Sequence, residues 1–276
     1  MVSIEEAQRI IIRHTTLLPP EKVSLLQGLG RVAGEDIHAP YDIPAVDNSA
    51  MDGYAFSHAE LKRNCLTVSG FLPAGGQRTV PVPPGEAVKI MTGAPMPPGC
   101  DTVVPIEETE AAGDVIRLIG VVKPGSHIRK RGDDIHAGDK AIAAGTLLRP
   151  QEIGMLASMG KTDLLAHRRP RVGVLATGDE LLEPGAALLP GKIIDSNSYS
   201  IAAQVLEAGG EPLMLGIATD DQGSTRQKIL SGLQADLLIS TGGVSVGDKD
   251  YVKEAIVELG GEIKFWKVNM KPGKPI

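Results

Sequence analysis

The predicted fold is centred on residues 171 to 197, which read RVGVLATGDELLEPGAALLPGKIIDSN. The apolar run at 171 to 176 predicts a buried strand, and the polar turn TGDE at 177 to 180 follows it at once. A buried strand that ends in a turn rich in carboxylates is typical of the edge of a binding site. We therefore expect this turn to form part of the binding site.

Three further segments repeat the passage from an apolar strand to a polar loop. Strands are predicted at 211 to 218, 235 to 240 and 261 to 270, with helices at 198 to 208, 223 to 234 and 250 to 259. Alternating strands and helices predict a parallel sheet with right-handed crossovers, and its carboxyl edge is where open α/β sheets bind ligands. That edge would collect Asp179, Glu180, Asp220, Asp221, Asp248, Asp250, Lys267, Lys271 and Lys274.

The first part of the chain has other patterns. Residues 3 to 14 and 19 to 30 predict helices, and from 65 to 148 short apolar runs alternate with Pro and Gly clusters, which predicts a compact all-β domain. We predict a fold that combines α/β and all-β domains. Its parts would be a helical and extended linker domain (1–45 with 140–169), a small β domain (46–139) and a doubly wound α/β domain (170–276) whose parallel sheet is incomplete at its C-terminal end.

Three loops of the first part carry groups capable of chemistry. Residues 41 to 56, YDIPAVDNSAMDGYAF, are either an irregular connector whose Asp and Asn side chains cap their own turns or one wall of a site. Residues 91 to 95, MTGAP, follow a predicted strand. Residues 129 to 134, RKRGDD, are either a solvated run of charges or an anion-binding loop.

Composition excludes several classes of protein. The net charge is −6 and aromatic residues make up 3% of the chain, which disfavours nucleic acid and anionic membranes as partners. Residues 1 to 14 carry acids where a signal peptide carries bases, and no run of eighteen apolar residues occurs, so we expect a cytoplasmic protein. The 2 cysteines and 6 histidines have no metal-ligand spacing, which leaves a hard cation on carboxylates as the open possibility.

Acids and lysines at one sheet edge indicate a polyanionic ligand bridged by a divalent cation such as Mg²⁺. The loop TGGVSVG at 241 to 247 supports this, because its glycines let main-chain N–H groups approach a phosphate, although no GK[ST] follows as in a Walker A loop. Each residue also has a local interpretation. Asp221 could cap the helix at 223, Asp248 or Asp250 the helix at 250, and Lys267 could lie on the outer face of a strand.

Long motifs also carry a family resemblance. They are DIPAVDNSAMDGYAF (42–56), KIMTGAPMPPGCDTVVPIEET (89–109), RKRGDDI (129–135), LATGDEL (175–181), GKIIDSNSY (191–199), STGGVSVGDKDYVK (240–253) and FWKVNMKPGKP (265–275). These segments resemble the molybdopterin molybdenumtransferases, which include MoeA and the E domain of gephyrin. The resemblance implies insertion of molybdate into adenylylated molybdopterin with release of AMP, with Mg²⁺ as cofactor. It also implies a homodimer whose cleft lies between subunits, and a molybdopterin adenylyltransferase as a possible partner.

The resemblance further implies roles for individual residues. The expected catalytic residues are Asp52, Thr92, Asp134, Glu180, Asp220 and Asp250, with Glu180 and Asp220 as metal ligands. The expected substrate and nucleotide contacts are Arg129, Gly242, Gly243, Ser245, Asp248, Lys267, Lys271 and Lys274. Family members continue beyond the lysine motif at which this chain ends, so we expect a truncated form. An adenylyltransferase-like enzyme and a non-enzymatic dimeric scaffold are the alternatives.

Overall fold

The structure is a computed structural model, and it describes residues 1–62, 64–242 and 251–270. Its α-helices are α1 (Ile4–His14), α2 (Pro150–Ser158), α3 (Asn197–Glu207), α4 (Gln222–Gly232) and α5 (Tyr251–Glu258). Its strands are β1 (Pro20–Ser24), β2 (Ile37–His38), β3 (Asn48–Ser49), β4 (Gly53–Phe56), β5 (Cys65–Leu72), β6 (Glu86–Ile90), β7 (Thr102–Pro105), β8 (Thr109–Ala112), β9 (Val115–Leu118), β10 (Ile128–Arg129), β11 (Lys140–Ile142), β12 (Asp163–His167), β13 (Arg171–Thr177), β14 (Leu181–Leu182), β15 (Ile193–Ile194), β16 (Glu211–Ala218) and β17 (Leu237–Thr241). No helix within the described ranges has the length and apolarity needed to cross a membrane.

Contacts divide the chain into two compact units. One unit comprises residues 36–144 and 154–161, and the other comprises 1–35, 145–153 and 162–276. The mixed α/β content predicted from the sequence is confirmed. The division into three domains and the doubly wound arrangement stay predictions.

A parallel sheet of three strands forms the centre of the second unit. Its order is β16-β13-β17, and β13 pairs in parallel with both neighbours. The apolar run of β13 is buried from Val172 to Thr177, as expected of a central strand covered on both faces. Leu175 joins buried residues of α4 and α5 in one apolar cluster, while α3 contacts β13 and β16. These contacts confirm the predicted alternation of strand and helix over residues 171 to 258.

The predicted fourth strand, at 261 to 270, is wrong. Within the described residues this segment forms no extended strand: Lys267 and Val268 are single bridge residues, and Val268 bridges Val2 in parallel. Two main-chain bonds hold it there: the N–H of Val2 donates to the oxygen of Lys267 at 3.0 Å, and the N–H of Asn269 donates to the oxygen of Val2 at 2.8 Å. The oxygen of Lys267 and the N–H of Asn269 are therefore bonded to Val2, a distant pairing that the local pattern of the sequence does not predict.

The helix predicted at 19 to 30 is also wrong. Residues Pro20–Ser24 form strand β1, which pairs antiparallel with β12, and a short 3-10 helix follows at Leu26–Gly28. The apolar spacing of the segment was compatible with either structure. The ladder with β12 provides hydrogen bonds for its main chain, and this long-range pairing outweighs the local helical pattern.

Six strands form the main sheet of the other unit, in the order β7-β4-β6-β5-β9-β8. All neighbours pair antiparallel except β5 and β6, which are parallel. Phe56, Leu66 and Ile116 lie in one buried cluster on this sheet. The compact β structure predicted for this region is confirmed, and the sheet supports the loops that carry Asp52 and Thr92.

Candidate functional site

The loops that follow β13 and β16 are joined at the carboxyl edge of the parallel sheet. The N–H of Gly178 donates to the oxygen of Ala218 at 3.1 Å, and the N–H of Asp220 donates to Oδ1 of Asp179 at 3.0 Å. The predicted convergence of loops is therefore confirmed for this pair. It places Glu180, which is exposed, and Asp220, which is half-buried, on two loops that are hydrogen-bonded to each other.

The end of β17 lies against the same turn. The hydroxyl of Thr177 donates to the oxygen of Thr241 at 3.3 Å. Gly242 has a φ of +80°, and a Cβ added there would lie 2.5 Å from the oxygen of Thr177. Only glycine satisfies both the left-handed conformation and the close approach.

Strand order identifies this corner as a switch point. The first strand, β13, lies between the second, β16, and the third, β17. The chain therefore moves from β13 to β16 on one side and then back past β13 to β17 on the other side, so the direction of strand addition reverses at β13. In open α/β sheets ligands bind outside the carboxyl ends of the two strands where the order reverses. For this sheet those strands are β13 and β17, and the turn at 177 to 180 and Gly242 lie at their ends.

Asp221 caps a helix, as its local interpretation predicted. It is the N-cap of α4, and its Oδ1 accepts from the N–H of Ser224 at 2.9 Å. The hydroxyl of Thr219 also donates to it, and this bond, followed by the one from Ser224, lowers the pKa of the Asp221 carboxyl. The carboxylate of Asp221 therefore stabilises the start of α4. Asp220 and Glu180 are the carboxylates of these two loops that remain candidates for binding a ligand.

The donor set at this edge suits a hard cation held by few protein ligands. Across residues 1–62, 64–242 and 251–270, no group of three His, Cys, Asp or Glu side chains is placed to hold a metal ion. Mg²⁺ commonly binds through one or two carboxylates and takes its other oxygens from water and substrate phosphates. Glu180 and Asp220 fit that pattern, whereas a fully protein-coordinated metal does not fit these residues.

A second group of site residues is built on the unit formed by residues 36–144 and 154–161, called the β unit below, where Asp52 and Thr92 meet. The N–H and the hydroxyl of Thr92 both donate to Oδ1 of Asp52, each at 2.7 Å. These bonds, the main-chain one first, lower the pKa of the Asp52 carboxyl, because they favour its charged form. The next residue, Gly53, is needed for packing, since a Cβ there would lie 2.0 Å from the oxygen of Val104.

The irregular segment at 41 to 56 joins the other two predicted loops. The N–H of Ser49 donates to the oxygen of Ala94 at 3.0 Å, and the N–H of Gly93 donates to the oxygen of Ser49 at 2.8 Å. On its other side, β3 pairs with β10, which sets Asn48 opposite Arg129. The segment is thus a shared wall for the loops at 91 to 95 and 129 to 134.

The run RKRGDD is neither fully solvated nor wholly free to bind an anion. Lys130 forms an ion pair with Asp47 at 2.8 Å, and Arg131 forms one with Asp42. For Asp47 the bond from Lys130 is the main cause of a lowered pKa, and for Asp42 the N–H of Ala137 comes first and Arg131 second. In the described part of the chain, Arg129 has no carboxylate within ion-pair distance, so it is the cation of this run that remains available.

The remaining predicted residues are placed less closely. Asp134 is exposed, and its N–H donates to the oxygen of Ile43 at 2.9 Å. Lys267 is exposed, and within the ranges described no hydrogen bond or ion pair joins its amine to Glu180 or Asp220. The other predicted residues lie outside the described residues; they are Gly243, Ser245, Asp248, Asp250, Lys271 and Lys274.

Two residues that join the loops received no role from the sequence. Asp179 was expected at the edge, but its bond to the N–H of Asp220 was not. No motif predicts a role for Lys192, whose amine donates to the oxygen of Asp179. A carboxylate within the turn TGDE and a lysine at the start of GKIID were the available signals, and neither indicates a partner.

Comparison with known families matches nearly the whole chain. Residues 2–160 match the MoeA N-terminal region (domain I and II), and residues 173–276 match a probable molybdopterin binding domain. The chain covers 100% of its length against a molybdopterin molybdenumtransferase of Haemophilus influenzae at 38% identity and one of a Nostoc species at 37%. It spans 69% and 66% of those two proteins.

Solved structures agree with the sequence comparison. A crystal structure of the molybdopterin biosynthesis MoeA protein of Pyrococcus horikoshii superposes with a TM-score of 0.83 at 30% identity, and covers 100% of this chain and 71% of the other. Another from the same organism gives a TM-score of 0.80 at 32% identity. Both matched regions, the curated relatives and the superposed structures point the same way: this chain belongs to the molybdopterin molybdenumtransferase family.

Proposed function

We propose that this chain inserts molybdate into adenylylated molybdopterin with release of AMP, in a reaction that depends on Mg²⁺. The observation that carries the proposal is the joined pair of loops after β13 and β16. It supports two carboxylates at the carboxyl edge of a parallel sheet, with Glu180 at the switch point and Asp220 on the neighbouring loop after β16. The membership of the chain in its family is the second support.

Glu180 and Asp220 would hold the cation through their carboxylate oxygens. When bound, Mg²⁺ supplies positive charge to the phosphate oxygens of the substrate as AMP leaves. The protein's task at this edge is then positioning and electrostatic stabilisation, since breaking a phosphoanhydride bond needs little covalent participation by side chains. Main-chain N–H groups from Gly242 onward would contact the nucleotide phosphate; Gly243, Ser245, Asp248 and Asp250 belong to this part of the proposal.

On the β unit, Asp52 and Arg129 would contact substrate groups of opposite character. A carboxylate kept ionised by Thr92 accepts hydrogen bonds well, and a pterin ring carries N–H donors. Arg129 would bind an anion, either molybdate or a phosphate, with its free guanidinium. Lys267, Lys271 and Lys274 would add positive charge for binding molybdate. Asp134 is the remaining residue that we propose for the active site.

We also propose a homodimer as the working form. Helix α1 supports this, because its apolar side is mostly open: Ile4, Ile11 and Ile12 are 45%, 53% and 72% exposed, and only Ala7 is buried. A second copy that covered this side would remove apolar area from water. Sedimentation of the purified chain and of Ile12→Lys tests it, with a shift of the variant toward monomer expected.

The adenylylated substrate would come from a molybdopterin adenylyltransferase.

The test of the proposed function is a reconstituted reaction. The purified chain is incubated with adenylylated molybdopterin, and AMP is measured with and without molybdate and Mg²⁺. Release that needs both additions supports the proposal. If the chain instead transfers the adenylyl group of added ATP to molybdopterin with release of pyrophosphate, the adenylyltransferase-like alternative is favoured. No reaction under any condition would favour the scaffold.

A further inference from the structure

Asp179 lies between the two carboxylates proposed to hold the cation. It precedes Glu180 in the turn after β13, and its Oδ1 accepts from the N–H of Asp220, on the loop after β16, at 3.0 Å. We propose that Asp179 is a positioning residue that sets the separation of Glu180 and Asp220 by holding the main chain of Asp220. This inference rests on the proposed function, to which it adds a residue acting through its neighbours.

The turn that carries Asp179 is itself well anchored. The amine of Lys192 donates to the oxygen of Asp179, and the N–H of Ile193 donates to the oxygen of Glu180 at 2.8 Å. These bonds tie the turn to the short parallel ladder of β14 and β15. Because these bonds fix the turn, the side chain of Asp179 can hold the main chain of Asp220 in a fixed place relative to Glu180.

The loop that carries Asp220 has local bonds at its neighbours, from Thr219 to Asp221 and to Ser224, but the main chain of Asp220 itself is held by Asp179. In the described part of the chain, the N–H of Asp220 donates to Oδ1 of Asp179 and to no other acceptor. Asp220 is only half-buried, so water can replace a lost acceptor at small cost to the fold. The loss would therefore loosen the main chain at Asp220 and leave most of the stability intact.

Glu180 is directed by the same turn through a different contact. Gly178 has a φ of +144°, and a Cβ added there would lie 2.4 Å from Oε2 of Glu180. The carboxylate of Glu180 thus lies over the glycine. The same four-residue turn thus carries one proposed ligand, whose carboxylate lies beside Gly178, and holds the main chain of the other through Asp179.

A direct role of Asp179 in binding the cation is the competing explanation, and asparagine separates the two. Asp179→Asn keeps an Oδ1 that accepts from the N–H of Asp220, but it removes the negative charge. Asp179→Ala removes both. A positioning residue should be rescued by asparagine, whereas a ligand should lose its function in both variants. Glu183→Gln is the control, since it removes one exposed charge from the same part of the chain.

The experiment measures AMP release, half-saturating Mg²⁺ and hydrogen exchange of residues 218 to 221 in the wild type and the three variants. In Asp179→Ala we expect kcat to fall about 10- to 100-fold, half-saturating Mg²⁺ to rise, and exchange to quicken. Asp179→Asn and Glu183→Gln should stay within about threefold of the wild type on each measure, well inside that range.

Three results would overturn the inference. They are equal damage in Asp179→Asn and Asp179→Ala, unchanged exchange and activity in Asp179→Ala, and loss of the folded state in Asp179→Ala. A wild-type chain that releases no AMP would instead contradict the proposed function. The exchange comparison would then still test whether Asp179 holds the loop of Asp220.

Discussion

Thr92 donates its main-chain N–H and its hydroxyl to the same oxygen of Asp52, each over 2.7 Å. The two residues are 40 positions apart in the chain. Both bonds reach Oδ1, and within the described residues Oδ2 has no hydrogen-bond partner. Asp52 is therefore held in one orientation, ionised, with one oxygen left for a ligand.

Removing the Thr92 hydroxyl should raise the pKa of Asp52. Thr92→Val keeps the shape and the N–H but removes one donor to the carboxylate, so the charged form loses stabilisation. The acid limb of the activity profile should move to higher pH, and a carbon-13 NMR titration of the Asp52 carboxyl should move with it. Thr92→Ser retains the donor and should titrate like the wild type. Identical titration of Val and wild type would contradict this explanation.

Asp52 itself should be needed for activity more than for folding. We expect Asp52→Ala to abolish molybdate-dependent AMP release while circular dichroism and the melting temperature show a folded protein. Asp52→Asn keeps an acceptor for both donors of Thr92, so its loop should be unchanged, yet the lost charge should also abolish release. If Asp52→Ala unfolds and Asp52→Asn is active, the carboxyl group serves only to tie two loops together.

Alanine substitutions of the neighbours Arg129 and Lys130 should have very different effects on KM. Losing a charged contact to an anionic substrate costs about 1.5 to 3 kcal/mol, so Arg129→Ala should raise KM by roughly 10- to 100-fold. Lys130→Ala removes an exposed ion pair with Asp47, worth about 0 to 1 kcal/mol, and should change KM little. Steady-state kinetics on both variants decide between them. Equal effects would show that the run acts as a general positive patch.

Two glycines of the β unit should respond to alanine in opposite ways. A Cβ at Gly53 would meet the main chain of Val104 at 2.0 Å, so Gly53→Ala should destabilise the protein by about 3 kcal/mol or more. Gly154 is exposed within α2 and has nothing within 4 Å, so Gly154→Ala should stabilise by about 0.5 to 1 kcal/mol. Urea unfolding measures both. A well-tolerated Gly53→Ala would mean that β4 and β7 separate easily.

The ion pair of Asp236 with Arg168 should make stability depend on pH. Its two bonds, at 2.6 and 2.5 Å, are the main cause that lowers the pKa of Asp236 from 3.8 to about 2, and the N–H of Arg171 is the second. Because the folded-state pKa is the lower one, this contribution is complete above about pH 5 and is lost as pH falls toward 2.

Asp236→Asn supplies the comparison for that dependence. We expect the wild type to exceed the variant by about 1 kcal/mol in unfolding free energy above pH 5, and the gap to close toward pH 2. Urea unfolding at a series of pH values measures the gap. A difference that stays constant over the range would assign the effect to packing instead of charge.

Local sequence patterns predict an element correctly where the residues of that element alone determine its conformation. The strand at 171 to 176 was predicted from six consecutive residues, and the structure extends it by one, to Thr177. Helix α3 was predicted at 198 to 208 and lies at Asn197–Glu207. Burial and helical spacing are repeated within each segment, so neighbours along the chain are enough to reveal them.

Residues 19 to 30 and 261 to 270 show where local patterns fail. The first became a strand because β12 pairs with it, and the second is bonded to Val2. In both cases the partner lies more than a hundred residues away, as the pairs Pro20 with His167 and Val2 with Val268 show. The spacing of apolar residues shows which side of a segment is apolar. It does not show which distant strand will pair with that segment.

The sequence by itself determined the residue types of this protein's chemistry: carboxylates after buried strands, a glycine at 242 and a cationic run at 129 to 131. Only the tertiary structure decided their partners, namely Thr92 for Asp52, Asp47 for Lys130, and Asp179 for the main chain of Asp220. The physical reason is that hydrogen bonds and ion pairs act over about 3 Å. Which groups come within that range depends on how distant segments of the chain meet.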